Sequence, residues 1–250
     1  MSGQDNQVIA APMTIWLRFK LESDATFGRG DGIPGLIDRN VAVDEYGCPY
    51  LHGRTLKGLL NESCIDLLYA LGSRAAEWFG VADTLFGYAG SDLAAEGLMR
   101  VNHAQLPEAL HRAIRSEQAP NRWTPDDVTA SLTTIRYQTA LGTNGEPEPR
   151  TLRATRVILR ETHFEAQLHF ARTLSESEQV LLGATVKGLR RAGLMRNRGR
   201  GRILAMLETE GGQNLSDKWF SLFQQRITSS THDLDESATS QTEMNEELTQ

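Results

Sequence analysis

A segment with six arginines, four glycines and no acidic residue, GLRRAGLMRNRGRGR, lies between Gly188 and Arg202. Guanidinium groups match phosphate oxygens two at a time, and glycine lets the backbone approach a ligand closely. An apolar run at 203–207 follows at once, so ordered elements hold the segment at both ends. We therefore predict a loop that binds nucleic-acid phosphates rather than a solvated basic loop. Its candidate nucleic-acid-binding residues are Arg196, Arg198, Gly199, Arg200, Gly201 and Arg202.

A second cationic cluster stands at the start of a predicted helix, in the sequence HGRTLKGLL at 52–60. Apolar residues recur there every three or four positions up to Gly72, which indicates a helix with one apolar face and Thr55 as its N-cap. The positive end of a helix dipole disfavours cations, whereas its free N–H groups bind anions. Arg54, Thr55 and Lys57 therefore form a second predicted phosphate-binding set. The alternative is a Lys57 side chain that extends into solvent.

Composition and charge restrict the class of protein. The 250 residues carry a formal net charge of −6, and the six acidic residues at 230–250, where no Lys or Arg occurs, account for all of it. The acidic total therefore does not argue against a nucleic-acid partner. Cys48 and Cys64 lack the paired spacing of a zinc site, and no window has the apolar length of a membrane span. We expect a reduced, cytoplasmic protein with no cysteine-bound metal and no membrane partner.

The order of predicted elements indicates a fold class. Residues 13–21 and 163–171 alternate between apolar and polar, as half-buried strands do. A shorter strand is predicted at 98–101, and a capping box at Ser175–Glu178 begins the helix that leads into the basic segment. This order predicts an α+β fold, a ferredoxin-like (RRM-like) βαββαβ core with large insertions after the first strand and the first helix.

The insertions and the end of the chain carry weaker signals. Within 131–160, two predicted strands are separated by a polar segment with turn residues, which indicates a hairpin that projects from the body. One weak helix is predicted within 107–127. The predicted domain spans residues 1–210. A short amphipathic segment at 211–229 and a disordered acidic tail at 230–250 follow it.

Four stretches together resemble the RAMP superfamily, and within it the guide-RNA-binding backbone subunits of type III CRISPR effector complexes. They are GIPGLIDRNVAVDEYGCPYLHGRTLKGLL at 32–60, DTLFGYAG at 83–90, TTIRYQTALGTNGEPEPRTLRATRVI at 133–158 and GLMRNRGRGRI at 193–203. They are similar to that family's glycine-rich first loop and helix start, its Leu-Phe-Gly turn, its thumb hairpin and its C-terminal glycine-rich loop. His52 and Arg54 stand where proline and serine are usual, which is similar to variants of subtype III-D.

The resemblance implies a ribonucleoprotein filament of CRISPR effector subunits that acts in antiviral defence. Each subunit of such a filament binds guide crRNA, and its thumb wedges the duplex of guide and complementary target RNA. The residues that match the thumb tip are Thr139, Ala140 and Leu141.

The resemblance also implies target-RNA cleavage by an Asp of the first loop with a divalent metal such as Mg²⁺, and the matching residue is Asp38. A carboxylate with an ordinary pKa of about 3.9 is a poor general base at neutral pH, so metal ligation or orientation of the 2′-hydroxyl is the expected role. Asp31 and Asp44 are the rival carboxylates, and a turn-forming role for Asp38 is the structural alternative.

Two other functions stay open. One is a structural RNA-binding subunit of the same assembly, which needs the basic segment and Lys57 but not Asp38. The other is a guide-RNA-processing ribonuclease of the same superfamily, which generally relies on a histidine, and His52, His103 and His163 are the candidates.

Overall fold

The computed structural model describes residues 13–28, 30, 32, 36–88, 96–118, 122–140, 144–146 and 151–229. The strands are β1 (Met13–Leu21), β2 (Met99–Val101), β3 (Thr133–Gln138), β4 (Arg153–Ile158), β5 (His163–Phe170) and β6 (Ile203–Glu208). The helices are α1 (Gly53–Leu71), α2 (Phe79–Phe86), α3 (Glu108–Gln118), α4 (Pro125–Leu132), α5 (Glu176–Gly188) and α6 (216–229). The predictions for Asp31, Leu141 and the acidic tail fall outside the described residues.

Four strands form an antiparallel sheet in the order β2-β5-β1-β6. From Ile15 to Leu21, every second side chain of β1 is at most 2% exposed, and the side chains between them are partly exposed. Strand β5 follows the same period, and its Phe164 stacks on Phe19 with ring centroids 5.3 Å apart. The strands predicted at 13–21 and 163–171 are therefore confirmed, because alternation reports which face of a strand is buried.

Helices α1 and α5 pack against each other and share one hydrophobic core with the sheet. The predicted capping box of α5 is confirmed, since the Ser175 hydroxyl accepts from Glu178 N and the Glu178 carboxylate accepts from Ser175 N at 2.7 Å. The prediction of Thr55 as the N-cap of α1 is wrong. The helix begins at Gly53, whose N–H donates to His103 Nδ1 at 2.9 Å. A contact distant in sequence therefore fixes the start of α1.

The insertions contain more helix than the sequence predicts. A 3-10 helix, Gly72–Trp78, and α2 follow α1 directly, although no helix is predicted there. The region predicted to hold one weak helix contains α3 and α4, and α4 begins with a capping box between Thr124 and Asp127. Strands β3 and β4 pair antiparallel as a separate two-stranded sheet, which confirms the predicted hairpin.

Helix α6 closes the hydrophobic core behind α5. Trp219 and Phe223 are at most 5% exposed, and the Phe223 ring lies 5.3 Å from that of Trp78. Gly183 of α5 makes room for this helix, because a Cβ there would lie 2.5 Å from Trp219 Cβ. Within the part of the chain that the structure describes, no helix combines the length and apolarity needed to cross a membrane.

Loss of the Trp219 side chain should destabilise the whole domain. We expect Trp219→Ala to lower the free energy of unfolding by roughly 3–5 kcal/mol, as large-to-small core substitutions of Trp do. Trp123→Ala is the matched control, since that side chain is about half exposed (49%). Urea denaturation of both variants checks this, and equal stabilities would show that α6 does not contribute to the core.

Candidate nucleic-acid interface

Asp38 is fixed against the edge of β4 by hydrogen bonds in both directions. Its backbone N–H donates to Ala154 O at 2.8 Å, and its Oδ2 accepts from Ala154 N at 2.7 Å. The next residue, Arg39, forms a parallel bridge with Thr155 and accepts from Arg156 N. The predicted catalytic loop thus pairs with the predicted thumb hairpin as a short extra strand.

The same contacts set the protonation state of Asp38. The N–H of Ala154 has the largest effect and lowers the pKa of Asp38, burial opposes it, and the nearby Arg153 guanidinium lowers the pKa further, so that it lies below its usual range. The Arg153 Nη1 lies 3.4 Å from Asp38 Oδ1. The carboxylate is therefore ionised at neutral pH. It can accept a hydrogen bond from a hydroxyl or bind a cation, but it is a poor proton acceptor.

Asp38 opens into a cavity of about 550 Å³ whose walls come from three regions of the chain. The first loop contributes Asp38 and Arg39, and the hairpin contributes Thr139, Ala140 and Arg153 among others. The basic loop contributes Met195 and Arg198. The structure therefore brings together the predicted catalytic residue, the described part of the predicted thumb tip and one predicted RNA-binding arginine.

The basic loop is held in a tight, partly left-handed conformation. Gly201 has a φ of 69°, and a Cβ there would lie 2.0 Å from Ala192 O, so only glycine lets the loop close on itself. Gly199 also has a positive φ of 77°, but a Cβ there would meet no atom within 4 Å. Its backbone is therefore open to an approaching ligand, as predicted for this segment.

The four predicted arginines differ in their surroundings. Arg196 is paired with Glu62 at 2.8 Å, and Arg202 lies 3.5 Å from Glu22. Arg200 has a buried Nη1 with no hydrogen-bond partner among the described residues, and burial lowers its pKa. Arg198 is exposed and makes no ion pair within the described part of the chain, which leaves its guanidinium available to a phosphate.

A second cavity, of about 910 Å³, continues from the first along the exposed face of α1. Arg39, Met195 and Arg198 line both cavities, so the two form one groove. Leu59, Ser63 and Leu67 of α1 lie on one side and the basic loop on the other. The acidic residues Glu62 and Asp66 also line this part and offset some of the charge of its five arginines.

The cluster at the start of α1 lies apart from this groove. Arg54 and Lys57 line a separate cavity of about 460 Å³ with Glu96 and Arg100, and it shares no residue with the other two. Burial, and then the charge of Arg100, lowers the pKa of Lys57, whereas Glu96 opposes this. Thr55 is exposed. An anion bound there would relieve the repulsion between these cations.

Two of the three candidate histidines come together beside the α1 N-terminus. The rings of His52 and His103 lie 5.2 Å apart, and the Tyr50 ring lies within 5.3 Å of both. His103 Nδ1 accepts from Gly53 N, so its Nε2 is the nitrogen that carries the proton when the ring is neutral. His163 lies elsewhere, at the start of β5.

Arg39 and Arg153 are groove residues that the sequence reasoning did not select. Each lies next to a predicted site residue, Arg39 beside Asp38 and Arg153 near the thumb. Both residues are recognisably basic in the sequence. Their position in the groove, however, depends on how the first loop pairs with β4. The rival carboxylate Asp44 is instead hydrogen-bonded to His111 at 2.6 Å.

No protein-family model and no curated protein matches the sequence. Solved structures match its fold. A chain of a type III-B Cmr-beta complex bound to cognate target RNA gives a TM-score of 0.55 at 11% identity, over 84% of this chain and 99% of that chain. A chain of Cmr-beta in the apo state gives 0.54 at 12% identity, over 78% and 97%. A chain of a type IV-B CRISPR complex gives 0.52 at 14% identity, over 79% and 91%. The likeness at these identities is one of fold.

Arg198 should contribute one phosphate contact to RNA binding. Its replacement by Ala should reduce the magnitude of the slope of log affinity for single-stranded RNA against log salt concentration by roughly 0.7. The reason is that fewer counterions are released on binding when one phosphate contact is lost. Fluorescence anisotropy over a series of salt concentrations measures this slope. Arg112→Ala, a change of an exposed arginine on α3, is the control, and an unchanged slope in Arg198→Ala would remove this residue from the interface.

Proposed function

We propose that this chain is an RNA-binding subunit of a CRISPR RNA-guided effector complex. One observation carries the proposal: a single groove joins Asp38, the base of a projecting hairpin and the exposed Arg198. In the sheet with strand order β2-β5-β1-β6, α1 lies between β1 and β2 in the chain and α5 lies between β5 and β6. This arrangement fits a ferredoxin-like βαββαβ core of the RAMP type. The shared fold with chains of type III-B and type IV-B complexes supports the same assignment.

In this proposal the groove binds guide crRNA, and the hairpin meets the duplex of guide and target RNA. Arg198 and Arg39 contact phosphates, while the open backbone at Gly199 lets a strand approach closely. Thr139 and Ala140 are small and exposed, which suits a wedge between stacked bases better than base recognition. Other effector subunits extend the filament on either side. Within this class, His52 and Arg54 favour a subtype III-D subunit.

Asp38 is the proposed catalytic residue for cleavage of the target strand. Its ionised carboxylate accepts a hydrogen bond from a 2′-hydroxyl and orients that oxygen towards the adjacent phosphorus. Attack forms the O2′–P bond and breaks the P–O5′ bond. The 2′-hydroxyl proton passes to water, and the leaving O5′ takes a proton from water. Arg153 and Arg198 offset the charge on the phosphoryl oxygens.

Mg²⁺ fits this site only as a cation shared between the protein and RNA. Asp38 offers one carboxylate, and within the described residues it belongs to no group of three metal-ligating side chains. Mg²⁺ is often held by one or two carboxylates together with substrate phosphates. When bound, it would supply positive charge at the phosphoryl oxygens, with Asp38 as its protein ligand.

Asp38→Asn should separate cleavage from binding. The variant keeps a carbonyl oxygen for Ala154 N–H but loses the charge, so target binding should be retained while cleavage falls by roughly a hundredfold or more. The assay is cleavage of complementary RNA by the assembled complex with Mg²⁺, with target affinity measured in parallel. Asp66→Asn, which changes an exposed carboxylate in the same groove, is the control.

The other outcomes of this assay have defined meanings. Cleavage retained in Asp38→Asn would exclude Asp38 as the catalytic residue. A wild-type complex that binds its target without cutting it would favour the structural RNA-binding subunit.

A second candidate function, a guide-RNA-processing ribonuclease, rests on the contact between His52 and His103. Two imidazoles 5.2 Å apart can serve as general base and general acid on one phosphodiester. Arg54, Lys57 and Arg100 line a cavity beside Gly53, whose N–H donates to His103, and would bind the phosphates.

The histidine hypothesis predicts cleavage without a divalent metal. Precursor guide RNA is incubated with the purified chain in the presence of a chelator, and products are resolved on a denaturing gel. Under this hypothesis His52→Gln and His103→Gln should each lose roughly a hundredfold in rate, whereas His163→Gln should not. Wild-type protein that produces no metal-independent cuts would refute this function and leave the Asp38 proposal untouched.

A further inference from the structure

Asp44, Cys48 and His111 form a cluster outside the groove, hereafter the Asp44 cluster. One potential ligand atom from each residue lies within 4.8 Å of the other two. Asp44 Oδ2 is 2.6 Å from His111 Nε2. Cys48 and His111 are buried, and Asp44 is largely so. A carboxylate oxygen, a thiol and an imidazole nitrogen therefore converge in a largely buried place.

The backbone around the Asp44 cluster holds these groups firmly. Asp44 Oδ1 accepts from the N–H groups of Tyr46 and Cys48, both at 2.9 Å, which closes a turn over 44–48. Gly47 in this turn has a φ of 79°, and a Cβ there would lie 1.9 Å from Pro125 O. The turn is thus seated against α4, while α3 supplies His111. Two ligands are fixed on one turn before any ion arrives, which reduces the entropy cost of binding.

The geometry points to a site for a divalent transition-metal ion, which we assign to Zn²⁺ or an ion of similar preference. Nitrogen and sulfur ligands with one carboxylate form the donor set that Zn²⁺ prefers, and three protein ligands with a water are common for this ion. Tetrahedral Zn²⁺ needs ligand atoms about 3.3–3.7 Å apart. The separation of 2.6 Å between Asp44 and His111 is shorter than this range, and no separation within the cluster exceeds 4.8 Å.

The charges of the three ligands fit the same assignment. A divalent ion would balance the charges of one carboxylate and one thiolate, with the thiol proton released to water as the S–metal bond forms. His111 would coordinate through Nε2, and its hydrogen bond to Asp44 would be replaced by the shared ion.

The alternative is that Asp44 and His111 form a structural pair, with Cys48 as a small core residue. Sequence spacing cannot distinguish a metal site from a structural pair, because Cys48 has no paired cysteine and His111 lies far away in the sequence. The expectation from the sequence was that cysteine binds no metal. The two possibilities differ in one measurable property, which is whether a metal–sulfur bond forms.

Cobalt(II) titration of the full, metal-free chain tests the inference. Co²⁺ occupies Zn²⁺ sites, and a bond to thiolate gives a near-ultraviolet charge-transfer band that other ligands do not. We expect this band to saturate at one Co²⁺ per chain and to disappear when Zn²⁺ is added in equimolar amount. The band should be lost in Cys48→Ser and weakened at least tenfold in affinity in His111→Gln. Cys64→Ser is the matched control, since Cys64 is the other buried cysteine.

Each other result overturns the inference. A folded wild-type chain that shows no charge-transfer band with excess Co²⁺ would establish the structural pair, and this holds even if a variant fails to fold. A band that survives in Cys48→Ser, or that is lost in Cys64→Ser, would place the metal on the other thiol. Circular dichroism of every variant, with and without metal, shows that the compared chains are folded.

Discussion

The groove depends on the short segment 23–28, which joins the hairpin to the basic loop through backbone hydrogen bonds. On one side Ala25 exchanges two bonds with Ile158 at the end of β4, at 2.7 and 3.1 Å. On the other side Thr26 O accepts from Leu194 N at 2.9 Å. Buried backbone groups that lose such partners cost free energy, so the segment has little freedom to move. The hairpin and the basic loop therefore keep a fixed separation.

Local chemistry explains why part of the fold could be predicted from the sequence. The alternation in β1 and β5 reports burial of one face, and the Ser175–Glu178 box reports unpaired N–H groups at a helix start. Both signals lie within a few consecutive residues. The start of α1 is different, because Gly53 is placed by a bond to His103, fifty residues further along the chain. No local pattern could have indicated it, and Thr55 was the wrong choice for that reason.

The candidate site could likewise be predicted only where local residue types were sufficient. Residue types showed that Asp38 and the basic loop were suited to RNA. They could not show which of the four neighbouring arginines already has a carboxylate partner. Arg196 and Arg202 face Glu62 and Glu22, which lie far from them in sequence, whereas Arg198 faces the cavity. An arginine with a carboxylate partner must exchange that partner for a phosphate, so it contributes less net affinity than one without.

The source of the low pKa of Asp38 bears on its role during RNA binding. An aspartate that depended on Arg153 for its charge would lose that support once the arginine turned towards a phosphate. The larger effect comes from Ala154 N–H, a backbone group of β4 whose position is set by the pairing of β4 with β3. Asp38 therefore stays ionised while the arginines around it change partners. A carboxylate held in this way suits orientation of a hydroxyl or ligation of a cation, and its charge is maintained by the fold itself.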